Sequence, residues 1–85
     1  MQKNDNINLL IENAINESND YLEMYKLKLM SYKKNLNNLD KNIPNYEEKR
    51  NNLLVEIKKY EEKIIEEKNL IAELKKSSNN THNVS

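Results

Sequence analysis

A run of apolar residues spaced alternately by four and three constrains this chain more than any other feature of its sequence. Of the ten positions in the run, Ser18 alone is not apolar. This spacing lines the side chains along one side of an α-helix, whereas a strand would need strict alternation. The pattern therefore predicts a long helix with one apolar seam, at Ile11, Ile15, Ser18, Leu22, Tyr25, Leu29, Tyr32, Leu36, Leu39 and Ile43.

The same spacing returns after residue 45. It runs over nine positions, and two of them, Arg50 and Glu67, carry a charge where the pattern calls for an apolar residue. A second helix with its own seam follows from this repeat. Its positions are Tyr46, Arg50, Leu53, Ile57, Tyr60, Ile64, Glu67, Ile71 and Leu74.

Pro44 separates the two runs. Its ring clashes with the preceding helical turn and restricts Ile43, so a helix should not continue through it. Asn45 with Glu48 three residues later resembles a capping box, which is typical of a helix start. We therefore predict a disordered start at 1–4, helix 1 at 5–41, a turn at 42–45, helix 2 at 46–76 and a disordered tail at 77–85.

These elements predict an all-α fold, an elongated antiparallel two-helix coiled-coil hairpin. The alternative is a single long helix kinked at Pro44, which would leave both seams open to water. A hairpin lets the seams cover each other, with facing residue numbers that sum to about 89. The expected hairpin seam comprises Ile15, Leu22, Tyr25, Leu29, Tyr32, Leu36, Leu53, Ile57, Tyr60, Ile64, Ile71 and Leu74.

The residues that usually carry chemistry are scarce. The 85 residues include no cysteine and no glycine, which argues against a thiolate metal site and a glycine-rich phosphate loop. The single histidine, His82, lies in the predicted tail. The glutamates of helix 2 alternate with lysines, as on a solvated helix face. We therefore expect no catalytic, cofactor-binding or metal site, no small-molecule substrate and no enzyme activity.

The charge balance narrows the class of partner. Fourteen basic and fourteen acidic residues give a net charge of zero, without the basic surplus typical of nucleic-acid-binding domains. No stretch resembles a membrane span or a secretory signal. We therefore expect an intracellular protein, cytoplasmic or nuclear, with other helical protein chains as partners, in a homo-oligomer or a hetero-complex.

A second apolar stripe indicates where such a partner would bind. Met24, Leu27 and Met30 fall on the side of helix 1 opposite the seam, and Leu10 lies on that side too. Helix 1 should also extend beyond helix 2, which would leave its first turns uncovered. The predicted partner-binding residues are therefore Ile7, Leu10, Ile11, Met24, Leu27 and Met30. The alternative is that the off-seam residues pack within a broadened hairpin core.

The function predicted from these features is that of a non-enzymatic coiled-coil interaction protein, a small structural or assembly subunit of a larger complex. A short two-helix chain buries little surface by itself, which favours a partner. One alternative is a helical chaperone or cofactor that shields a client protein. Another is a hairpin that binds RNA through lysines and tyrosines near Tyr25 and Tyr32.

Overall fold

The structure, a computed structural model, describes the backbone of residues 2–84 and the side chains of residues 6–77. It consists of α1 (Gln2–Asn37) and α2 (Tyr46–Val84), and the described backbone contains no strand. The two helices pack along each other in a rod of 65 × 14 × 13 Å. A single continuous helix of this chain would be about 120 Å long at its usual rise. The predicted antiparallel hairpin is therefore confirmed, and the kinked single helix is wrong.

The connection between the helices is longer than predicted, because α1 ends at Asn37 and not near residue 41. The Leu39 N–H donates to the Leu36 carbonyl at 3.3 Å, which tightens the end of the helix. The Asn42 N–H then donates to the Asp40 carboxylate at 2.9 Å. Asp side chains offer the backbone such local bonds in place of helical ones, which explains the early end of α1.

The start of α2 follows Pro44 as predicted, but its cap differs. The Lys49 N–H donates to the Asn45 carbonyl at 3.0 Å, so Asn45 is the N-cap residue of α2. Its φ of 63° is left-handed, whereas a capping side chain normally reaches the helix from an extended residue. The predicted capping box with Glu48 is accordingly not among the side-chain hydrogen bonds of the described residues.

The described backbone is helical at both outer ends of the hairpin. The backbone of residues 2–4 belongs to α1, and that of residues 77–84 belongs to α2. Neither segment contains glycine or proline, so no residue stops the helix from propagating. The helices thus have lengths of 36 and 39 residues.

The core of the hairpin is thin. Its buried apolar side chains, among residues 6–77, are Ile57, Ile64 and Ile71, all on α2. Ser18 on α1 is buried as well. Every residue of the predicted seam is buried or half-buried. Two helices can enclose only the line along which they touch, so most seam residues keep one edge in contact with water.

The contacts of Tyr60 give the register of the two helices. Its ring lies 6.0 Å from that of Tyr25 and 5.7 Å from that of Tyr32, measured between centroids. Tyr60 therefore sits at the level of Leu29, midway between these two tyrosines. This agrees with the pairing of Leu29 and Tyr60 expected from the heptad pattern.

Candidate helix-binding surface

The side of α1 that faces away from α2 carries a second row of residues at heptad spacing. We call this row the outer face. All of its members are exposed, because α2 covers only the seam side of α1. The outer face consists of Leu10, Asn13, Glu17, Asp20, Met24, Leu27, Ser31 and Lys34.

The structure leaves the predicted central stripe open to solvent. Met24 is 44% exposed, Leu27 is 59% exposed, and Met30, which lies beside the outer face, is 65% exposed. These values do not fit the alternative in which the stripe packs within a broadened hairpin core. Large apolar side chains clustered on one helix face are typical of a contact surface.

The predicted binding residues at the start of α1 differ in their exposure. Leu10 and Ile7 are 68% and 44% exposed. Ile11 is half-buried and belongs to the seam run. The exposed large apolar residues of α2 include Val55 and Ile65, which are ten positions and therefore about 15 Å apart along the helix axis. The central stripe of α1 is thus the more compact apolar patch.

The charged residues of α1 are segregated by sign, and the sequence analysis did not predict this feature. From Asn6 to Glu23 every charged residue is acidic, and from Met24 to Asn37 every one is basic. All eight of these side chains are exposed: Glu12, Glu17, Asp20, Glu23, Lys26, Lys28, Lys33 and Lys34. The net charge of zero conceals this pattern, and counting charge separately in each half of the helix would have revealed it. The apolar stripe begins at the boundary between the two halves.

A shallow groove of about 620 Å³ runs along the basic half of α1. Leu29 and Met30 supply its apolar floor, and three lysines stand at its edges. One of them, Lys33, lies 3.8 Å from the Glu61 carboxylate of α2, and both side chains are about half exposed. The groove therefore combines an apolar surface with positive charge. It is lined by Lys26, Leu29, Met30, Lys33, Lys34, Asn37 and Asn38.

Four tyrosines form a row of ring contacts on the hairpin. Tyr21 stacks on Tyr25 at 6.3 Å, and the contacts continue from Tyr25 through Tyr60 to Tyr32. The Lys63 ammonium lies 5.4 Å from the centre of the Tyr25 ring. Because these ring faces contact each other and a lysine, they contribute to packing between the helices.

Two polar atoms at half-buried positions lack partners. They are Oδ1 of Asn8 and Oε2 of Glu67, which are both shielded from water. Glu67 occupies a seam position where the heptad pattern would place an apolar residue. An unpaired buried oxygen costs free energy, so Glu67 weakens the hairpin at this level.

The described part of the chain offers little else to a ligand. Its aspartate and glutamate side chains form no group of three or more that could hold a metal ion. None of its helices combines the length and apolar character needed to cross a membrane. No family model, curated protein or solved structure significantly matches this chain.

Proposed function

We propose that this protein is a non-enzymatic coiled-coil interaction protein, a small structural or assembly subunit that binds a partner helix along the outer face of α1. The observation that carries this proposal is the exposure of Met24 and Leu27 at the centre of that face and of Met30 beside it. An apolar stripe at helical spacing, bordered by charged residues, is the surface that a second amphipathic helix covers.

The thin core supports the need for a partner. Only three large apolar side chains are buried among the described residues, whereas eleven are exposed. Burial of apolar surface is the main driving force of folding, and a short two-helix hairpin obtains little of it. A partner helix on the outer face would turn the hairpin into part of a larger bundle with a second apolar layer.

The shape and surface chemistry are also suited to this role. The rod is more than four times as long as it is wide, and it presents a face of heptad spacing along most of α1. Methionine packs adaptably, so Met24 and Met30 suit an interface between helices.

A matched pair of variants tests the proposal. The L27E/M30E variant places one charge on the outer face and one beside it, at residues that are 59% and 65% exposed. The V55E/I65E variant makes the same change on α2, at residues that are 65% and 59% exposed. Tagged wild type and both variants are purified from the native cell, and co-purifying chains are identified by mass spectrometry. Each identified chain is then tested again in purified form.

The proposal expects a helical partner, a second copy of this chain included, that binds wild type and V55E/I65E at a fixed stoichiometry. The same partner should lose at least tenfold in affinity for L27E/M30E, since burying a charge in an apolar interface costs more than 1.4 kcal/mol. Circular dichroism should show equal helix content in all three proteins. The proposal fails if no purified partner distinguishes L27E/M30E from wild type.

A further inference from the structure

We propose that the partner on the outer face is a second, antiparallel copy of this chain, with Met24 of each copy opposite Leu27 of the other. This inference rests on the proposed function and names the partner. It predicts a symmetric dimer in which the two α1 helices lie in the centre and the two α2 helices lie outside.

The charge segregation of α1 decides the direction of the second copy. In an antiparallel pair the acidic half of each α1, with Glu17 and Asp20, faces the basic half of the other. A parallel pair would place Glu17 against Glu17 and Lys34 against Lys34. Opposite charges across an interface favour association and like charges oppose it, so the antiparallel arrangement is preferred.

The spacing of the outer face decides the register. When Met24 faces Leu27 of the second copy, Glu17 faces Lys34 and Asp20 faces Ser31. A shift by one heptad in one direction would place Met24 against Asp20, and in the other direction against Lys34. Each shift buries a charge against an apolar side chain, which costs free energy. Only the register with Met24 opposite Leu27 therefore pairs apolar residues at the centre and opposite charges on either side of it.

Two-fold symmetry repeats every contact. The pair of Met24 and Leu27 occurs twice, so the centre of the dimer contains four apolar side chains. The pair of Glu17 and Lys34 also occurs twice, once at each side of this centre. Lys34, which faces Glu17 in this register, also lines the groove beside Met30. A net charge of zero allows two copies to approach without overall repulsion.

Charge exchange at Glu17 and Lys34 tests the dimer. Sedimentation equilibrium of the full chain should show a monomer–dimer equilibrium that weakens as salt screens the exposed charges. Glu17→Lys and Lys34→Glu, each alone, turn both attractive pairs into repulsive ones. We expect each to lower the association constant roughly tenfold, because each replaces two attractive surface pairs by two repulsive ones.

Two rescue experiments distinguish this geometry from a general loss of charge. An equimolar mixture of E17K and K34E restores both attractive pairs, and it should form a heterodimer as tight as the wild-type dimer. The double variant E17K/K34E should again form a homodimer. As controls, Glu62→Lys and Lys58→Glu make the same changes of net charge on exposed positions of α2, and they should leave association unchanged.

The proposal is overturned if wild type stays monomeric up to millimolar concentration. The proposal is also overturned if wild type dimerises but the charge exchanges at Glu17 and Lys34 do not change the association constant. A monomer that still binds a different helical chain, and loses it in L27E/M30E, would overturn the dimer and leave the proposed function intact. A monomer for which no partner chain is sensitive to L27E/M30E would overturn both.

Discussion

The ring of Tyr60 on α2 stacks on the ring of Tyr32 on α1, with centroids 5.7 Å apart and planes inclined by 27°. Tyr60 also contacts Tyr25, so one residue of α2 contacts two tyrosines that lie one heptad apart in the α1 seam. If α2 were shifted by one heptad along α1, Tyr60 would lie between Ser18 and Tyr25 or between Tyr32 and Leu39. In either case it would lose one of its two tyrosine contacts. The aromatic contacts therefore favour the observed register over its neighbours.

Tyr60→Ala should lower the free energy of unfolding by about 2 kcal/mol, because it removes two ring contacts and half-buried apolar area. Urea denaturation followed by circular dichroism measures this change. Tyr60→Phe keeps the ring and serves as the control, with an expected loss of less than about 0.5 kcal/mol. Equal losses in both variants would show that the ring contacts do not stabilise the hairpin.

Ile64 and Ile65 are adjacent in sequence but differ in burial, with exposures of 9% and 59%. Ile64→Ala should therefore cost about 2–3 kcal/mol through lost burial and a cavity. Ile65→Ala should cost less than about 0.5 kcal/mol, since its side chain lies mostly in water. Thermal unfolding of both variants at one protein concentration makes the comparison. The reverse order of stability would mean that α2 presents a different face to α1.

Asn45 adopts a left-handed backbone conformation with φ of 63° at the start of α2. Asn45→Val should destabilise the protein by about 1–2 kcal/mol, because a side chain branched at Cβ clashes in this conformation. Asn45→Gly should be tolerated, since glycine adopts positive φ readily. Urea midpoints of the two variants check the prediction, which does not survive if valine is tolerated as well as glycine.

Glu67→Leu should raise the free energy of unfolding by about 1 kcal/mol. The Glu67 side chain is half-buried and its Oε2 has no hydrogen-bond partner, so leucine removes an unpaired oxygen and adds apolar contact. The neighbouring Glu66→Leu, at an exposed position, is the matched control and should change stability little. A loss of stability in Glu67→Leu would indicate that the carboxylate has a favourable role at the seam.

The binding surface could be predicted only in part from the sequence. Heptad spacing identified Met24, Leu27 and Met30 as lying opposite the seam, and the structure leaves all three exposed. Helix 1 was predicted to reach residue 41, whereas α1 ends at Asn37, which lines the groove. Helix ends are decided by local competition between backbone and side-chain hydrogen bonds, so periodicity locates them poorly.

The sequence by itself determined two helices, the break at Pro44 and the residues that line each seam. These follow from local rules, since side-chain periodicity and the missing proline N–H act over a few residues. Only the tertiary structure decided which seam residues are buried. Ile57, Ile64 and Ile71 are enclosed, whereas the apolar seam residues of α1 keep an exposed edge. Burial depends on how two helices approach each other in space, and no single helix carries that information.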